Sequence, residues 1–299
     1  MKCKNMNINI RWDKNSCYID SLIVSLLYNN DNRYLLEAKV NDYGDRKILK
    51  MGNDIQKGLI KLDEIINGRS KVDGKNEMCK MRENIDKYYR YYSKINKNIR
   101  LIERGDNWVN SQIDVFELFE LFKIIFDIRP TLEIKEGKNK VIKTTFDYMI
   151  PTELLMDNKE VKIREIMPKY MIKYKLSKKD GWRDSKGKMR YVYKNRVEIK
   201  KGDKLFIKIY RNIGIEKLDT RIKVSNTLKL EGNEEKLKIK SIIIHYGTKD
   251  GGHYICLIKC GNKWYEYDDM RSGMKCIGTL VDINRNNEYK ENIVGLIYT

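Results

Sequence analysis

Histidine is almost missing from this sequence: His245 and His253 are the only two in 299 residues. Any imidazole chemistry, whether base catalysis or metal ligation, must run through one of these two positions. Proline is nearly as scarce, with three, and there is no flexible linker, low-complexity tract or internal repeat to divide the chain. The six cysteines (Cys3, Cys17, Cys79, Cys256, Cys260, Cys276) form no C-x-x-C pair, so neither a disulfide framework nor a zinc ribbon is suggested and reduced thiols are expected. No apolar run approaches the roughly 20 residues that span a bilayer, and the first seven residues lack the apolar stretch of a secretory signal. The expectation is a soluble intracellular protein, cytoplasmic or nuclear, with no membrane partner.

What is present is enough for an ordinary buried core, with 41% hydrophobic residues. The 61 Lys+Arg against 42 Asp+Glu give a net charge of +19, which raises nucleic acid as a partner. The basic residues are spread along the whole length, and the bias toward Lys, Asn, Ile and Tyr with little Pro is what an AT-rich genome produces whatever the function. Nucleic acid is therefore the disfavoured partner.

Apolar periodicity predicts helices over 16–28, 51–66, 82–102 and 111–126. In the third, Ile85, Tyr88, Tyr92, Ile95, Ile99 and Ile102 make one stripe, while Lys87, Arg90, Lys94, Lys97 and Arg100 read as a solvated outer face. Beyond Pro130 the texture changes to short β-branched runs broken by Gly, Asn and Asp, predicting strands over 141–150, 191–199, 205–210, 222–230, 237–245, 254–259 and 263–267. A helical lobe followed by an antiparallel sheet lobe implies an α+β fold with a cleft between the two.

Two segments carry the chemistry. Near the start stands Asn15-Ser16-Cys17-Tyr18-Ile19-Asp20-Ser21-Leu22; near the end stands Gly251-Gly252-His253-Tyr254, then Trp264-Tyr265-Glu266-Tyr267-Asp268-Asp269. Together they supply a thiol, an imidazole and a carboxylate, the three groups of an activated cysteine nucleophile. Cys17 falls in the first turn of its helix, where the dipole and free backbone N–H groups favour a thiolate. Asp268 lies 15 residues beyond His253, and a strand, the turn at Gly261-Asn262 and a second strand would return it beside the imidazole. His245 ends an apolar strand and reads as structural or cleft-lining. Two histidines with nearby acids lack any recognised ligand spacing, so no metal and no cofactor are expected.

These blocks resemble the ubiquitin-specific proteases, a family of papain-like cysteine peptidases. The segment from Asn15 to Leu22 is similar to the family's cysteine box, Gln112-Ile113-Asp114-Val115-Phe116-Glu117-Leu118-Phe119 to its glutamine–aspartate helix, and His245 through Asp269 to its histidine box. The paired runs 205–211 and 223–230 resemble its central sheet.

The resemblance implies a single catalytic domain over 1–299, with a helical thumb-like lobe over 1–130 and a β-rich palm over 131–299 whose fingers, about 141–200, are reduced and metal-free. It implies hydrolysis of the bond after a Gly-Gly terminus of ubiquitin or a ubiquitin-like modifier. Cys17 would be the nucleophile, His253 the base and then acid, and Asp268 the orienting carboxylate, with Asp269 the next candidate. Asp114 and Glu117 would bind the basic residue that precedes the two glycines, with Gln112, Gly252 and Tyr254 lining the channel. Where the family carries an oxyanion-hole donor this chain has Trp12, which leaves Asn15 or the Cys17 N–H for that role.

Ubiquitin and ubiquitinated substrates are the implied partners of a monomeric enzyme. The compact, biased chain resembles a product of a DNA virus or intracellular parasite, acting in a host cell or packaged in virions. Asp13-Lys14-Asn15-Ser16-Cys17 also resembles the ovarian-tumour-type deubiquitinases, against which the His245 and Trp264-to-Asp269 segments speak. A scaffold that binds ubiquitin without efficient catalysis, and a basic nucleic-acid binder, are the alternatives.

Overall fold

The eleven residues from Cys17 to Leu27 are all buried, and only Asp20 among them is ionised in water at neutral pH. A helix with no outward face must be surrounded, and this one, α1 (Cys17–Leu27), is packed between other helices and the main sheet. The computed structural model describes residues 6–8, 10–11, 13–28, 34–97, 99–103, 105–127, 132–136, 140–145, 147–150, 152–170, 174–175, 182–183, 187–190, 192–196, 205–213, 216–229, 236–248 and 251–299.

The first half continues with α2 (Tyr34–Glu37), α3 (Arg46–Ile66), α4 (Gly74–Ile95) and α5 (Val115–Ile125). The three longer helices each start on an aspartate whose carboxylate accepts from first-turn N–H groups: Asp45 from Lys47 and Ile48, Asp73 from Lys75, Asp114 from Phe116. Each such cap contributes about 1 kcal/mol. The Asp73 cap sets α4 eight residues earlier than the apolar stripe predicts, and the helix ends at Ile95, so Ile99 and Ile102 pack on the core from outside it. Ile85, Tyr88 and Tyr92 are buried as expected. On the outer face Lys87 pairs with Glu83 at 3.7 Å and Arg90 with Asp86 at 2.5 Å, which makes those charges a solvated, self-paired surface.

The second half builds the main sheet from β1 (Asp147–Ile150), β2 (Leu205–Ile209), β3 (Thr227–Lys229), β4 (Lys236–Gly247), β5 (Gly252–Cys260), β6 (Lys263–Tyr267), β7 (Lys275–Gly278) and β8 (Ile293–Tyr298). Its order is β7-β6-β5-β4-β8-β2-β1, with β3 also pairing to β4; only β1 and β2 run parallel. The predicted strand 141–150 is two strands in different sheets: Lys140–Thr145 joins a small separate sheet with Leu132–Glu136, Val192–Arg196 and Tyr174–Lys175. The predicted strand 222–230 likewise divides into Arg221–Lys223 and Thr227–Lys229.

Strand alternation sends Phe206, Ile243, Cys256, Ile258 and Ile297 into the core shared with the helices. Ile207, Ile242, Ile244, Leu257 and Leu296 go into a second core behind the sheet. Burial on both faces is why β8 and the Ile242-Ile243-Ile244 stretch of β4 read as continuous apolar runs, while β4 alternates from Lys236 to Lys240; each buried Ile or Leu contributes roughly 1.5–3 kcal/mol. Cys17, Cys79, Cys256 and Cys276 are free thiols, whereas Cys260 is disulfide-bonded, contrary to the expectation of reduced thiols throughout. No described helix is long and apolar enough to cross a membrane.

Candidate active site

Cys17 is the first residue of α1 and is buried. Its neighbour Ser16 occupies the N-cap without capping by its side chain; instead its Oγ accepts from the Asp13 N–H at 2.9 Å. The Ile19 N–H donates to the Ser16 carbonyl at 3.0 Å, which leaves the N–H groups of Cys17 and Tyr18 as the first-turn donors that no side-chain cap takes up. The approach turns sharply at Lys14, whose φ of 56° lies in the left-handed region.

That turn is fastened from below. Arg82, buried on α4, donates to the carbonyls of Asp13 at 2.7 Å, Trp108 at 3.4 Å and Val109. Tyr18 Oη donates to Trp108 O at 2.9 Å, and the Asn15 amide donates to Asn110 O at 2.6 Å. The loop that presents the thiol is thus clamped to 108–110. Asn15 spends one of its two amide hydrogens in that clamp, and Trp12 lies outside the described residues.

His253 is the second residue of β5. The β5–β6 hairpin turns through Gly261, with φ +60°, and returns the chain so that Asp268 follows directly on β6. Asp268 Oδ1 lies 2.8 Å from His253 Nε2. With Nε2 held there, Nδ1 is the nitrogen left for the thiol, and the Cys17 side chain is within hydrogen-bonding reach of the imidazole. Burial disfavours the imidazolium, but the Asp268 hydrogen bond, the Cys17 contact and the Asp269 charge outweigh it and raise the His253 pKa to about 10.

Burial works to raise the Asp268 pKa; the bonds from His253 and the Met270 N–H prevail and hold it below the ordinary carboxylate value. Asp269 Oδ1 stands 3.7 Å from the same Nε2, in reserve.

A chain of polar contacts leads away from this carboxylate. Arg271 Nε meets Asp268 Oδ2 at 3.2 Å, its Nη1 donates to Glu266 Oε1 at 3.0 Å, and Tyr289 Oη donates to Glu266 Oε2 at 2.6 Å. Sequence reasoning missed Arg271, Glu266, Tyr289 and Arg82; the i, i+3 spacing of Asp268 and Arg271 is the one signal that could have found any of them. The His253, Asp268 and Asp269 ligand atoms lie within 4.8 Å of one another, a grouping that the His253–Asp268 bond explains without a cation.

Of the expected substrate-binding residues, Gln112, Asp114 and Tyr254 share one cavity, whereas Gly252 and Glu117 are not part of its lining. A cavity of about 90 Å³ is lined by Gln112, Asp114, Phe116, His245, Gly251 and Tyr254. The Gln112 amide pairs with both backbone groups of Gly252, donating to its carbonyl at 3.0 Å and accepting its N–H at 3.2 Å, which bridges the two lobes. A Cβ at Gly252 would collide with the Tyr246 carbonyl oxygen and with His245 Nε2, so no larger residue fits there. His245 stacks on Tyr254 with centroids 4.2 Å apart. Burial, with the positive charges of Lys217 and His253, lowers the His245 pKa to about 4, which leaves the ring neutral at the cavity it lines.

Asp114 is the cap of α5 and Glu117 lies in its first turn, close enough for Asp114 to raise the Glu117 pKa, although burial is the larger cause. Burial raises the Asp114 pKa as well, against the pull of the Phe116 N–H and of Lys208.

Among solved structures, the chain is similar to the Ubp8/Sgf11/Sus1/Sgf73 module of SAGA bound to monoubiquitin, with a TM-score of 0.59 at 16% identity, over 100% of this chain and 70% of that one. It is also similar to the same DUB module bound to ubiquitin aldehyde, with a TM-score of 0.55 at 15% identity and the same coverage. These likenesses establish the fold: an α+β, papain-like arrangement of helical lobe, sheet lobe and intervening cleft. No curated protein matches the sequence. The family model for ubiquitin carboxyl-terminal hydrolases matches residues 8–273, a span that runs from before the cysteine segment to beyond Asp269. By that match the chain belongs to the ubiquitin carboxyl-terminal hydrolase family and is a cysteine-type deubiquitinase.

Proposed function

We propose that Cys17, His253 and Asp268 hydrolyse the peptide or isopeptide bond that follows the C-terminal Gly-Gly of ubiquitin or a ubiquitin-like modifier. The observation that carries this reading is the meeting of a helix N-terminal thiol, an imidazole and a hydrogen-bonded carboxylate contributed by the two ends of the chain. His253 Nδ1 takes the thiol proton and the resulting thiolate attacks the carbonyl of the terminal glycine. The tetrahedral oxyanion is met by the free N–H groups at the start of α1 and by the remaining hydrogen of the Asn15 amide. Imidazolium then gives its proton to the departing amine, leaving a thioester on Cys17. Water, deprotonated by His253, releases the modifier and restores the thiol.

The channel suits that substrate. Tyr254 and Gly251 line the passage assigned to the glycines, Gln112 fixes the backbone of Gly252 beside it through both of its amide groups, and Asp114 with Glu117 supply acid for a basic residue upstream of the glycines. In this reading 1–130 is the thumb-like lobe, 131–299 the palm, and the small sheet within it a reduced finger region. The enzyme acts as a monomer on ubiquitinated proteins. Its test is release of a fluorophore amide from the ubiquitin C-terminus. Cys17→Ser and His253→Ala should each abolish turnover while ubiquitin is still bound, and turnover that survives either change contradicts the assignment.

A further inference from the structure

Asp20 has no part in the triad, yet it is one of the most deeply placed acids in the molecule. It lies one helical turn beyond Cys17 and is fully buried; no donor meets its oxygens in full hydrogen-bonding geometry among the described residues, and the Ser16 hydroxyl is the one donor close enough to favour its ionised form. The group it meets is the carboxyl of Asp269, 3% exposed, with which it is in hydrogen-bonding contact. Asp269 Oδ1 also lacks a donor, and Oδ2 accepts only a long bond from Ser16 Oγ at 3.5 Å.

Two carboxyl groups can bond to each other only if one keeps its proton. The surroundings give no reason for both to ionise. Arg82 on α4 is committed to three carbonyls, and His253 on β5 is bonded to Asp268. Tyr18 on α1, Cys256 on β5 and Tyr267 on β6 face the pair as neutral groups, their ionisation pushed up by burial. The Asp268 carboxylate adds a further negative charge beside Asp269. The Ser16 hydroxyl lies near both acids, but Asp269 also has the His253 ring 3.7 Å away, whereas Asp20 has no cation within ion-pair distance and feels only the charge of Arg82 from further off.

We propose that Asp20 and Asp269 hold one proton between them, carried by Asp20, and that the neutral Asp20 is a positioning residue that orients the ionised Asp269 beside His253. Burial first, then the neighbouring charge of Asp269, pushes the Asp20 acid well above its ordinary range, consistent with that geometry. The functional half rests on the triad assignment; the shared proton does not.

The sign of the pH dependence follows from linkage. An acid whose folded pKa exceeds its unfolded value, about 3.9 for Asp, contributes stability that is complete below that value and is lost as pH rises through the folded pKa. Asn at position 20 has the shape of the protonated acid, donates as it does, and has no proton to lose.

Thermal unfolding of the full chain from pH 5 to pH 9 tests this. The Tm of Asp20→Asn should equal or exceed that of the parent near neutrality, with the difference widening toward pH 9. An infrared band of a buried protonated carboxyl should be present in the parent and absent from the variant. In pH–rate profiles Asp20→Asn should hold its turnover to higher pH than the parent. A variant that loses Tm equally at every pH, or a parent without the protonated-carboxyl band, overturns the proposal. If the band and the widening Tm difference are found but neither protein cleaves ubiquitin substrates, the shared proton stands and the assignment of the site falls.

Discussion

Replacing Asp268 by Ala removes the partner that orients His253 and stabilises its charged form. The bond is 2.8 Å long and Asp268 is buried. A hydrogen bond to a charged group contributes about 1.5–3 kcal/mol, which at 1.36 kcal/mol per decade is roughly 10- to 150-fold in rate. Where a triad has a single carboxylate, disabling it costs about 10⁴. Here Asp269 Oδ1 stands 3.7 Å from the same nitrogen and can take up part of the role.

Asp268→Ala should therefore lower kcat/KM by about 10² rather than 10⁴, and Asp268→Ala with Asp269→Ala should approach the larger figure. The pH profile moves in a defined direction. The reactive thiolate–imidazolium pair exists only while His253 is protonated, and it is lost as pH rises through about 10. Without Asp268 the burial that lowers this pKa remains while the largest upward pull has gone, so the alkaline limb must shift to lower pH. Stopped-flow or plate assays of ubiquitin–fluorophore hydrolysis across the pH range read both effects. An unmoved alkaline limb, together with a rate loss within experimental scatter, would refute the reasoning.

Three other perturbations follow from the geometry. Gly252→Ala places a methyl group against the Tyr246 carbonyl and His245 Nε2, and should lower stability by about 1–3 kcal/mol with near-complete loss of turnover, read by thermal melts and the same fluorogenic assay. Arg82→Met strips the carbonyls of Asp13, Trp108 and Val109 of their buried donor; a cost of roughly 3 kcal/mol, visible in urea unfolding, should come with reduced turnover because the loop presenting Cys17 loosens. Asp114→Asn keeps a competent cap for α5 but removes its charge, so KM for ubiquitin should rise by about tenfold or more while Tm changes little and hydrolysis of a short Gly-Gly substrate without a basic residue is unaffected.

Much of the site was legible because its chemistry is local in sequence. A thiol after a polar pair at a helix start, a histidine after two glycines, and an aspartate one hairpin away each announce themselves within a few residues, and the structure brings all three together. The limits of α4 were not legible, because the apolar stripe from Ile85 to Ile102 continues past the helix end, while the actual start depends on the Asp73 cap followed by Gly74 and Asn76, poor helix formers that hide it.

Strand β8 went unread although all six of its residues are buried. A short apolar run beside β4 has no period of its own when both faces are covered. Arg82 and the Asp20–Asp269 pair were out of reach for a different reason. Each matters through partners tens to hundreds of positions away, and only the fold reveals that an aspartate inside the cysteine segment meets one inside the histidine segment.

The central claim is that Cys17 is a nucleophile served by His253 and directed at a ubiquitin-type C-terminus. Labelling with ubiquitin bearing a C-terminal thiol-reactive electrophile tests it directly, beside probes built from other ubiquitin-like modifiers and a Cys17→Ala control. The prediction is a single covalent adduct, located on Cys17 by mass spectrometry, formed with at least one modifier and absent from the control. A folded protein that forms no adduct with any probe, or one that is labelled equally well without Cys17, would contradict it.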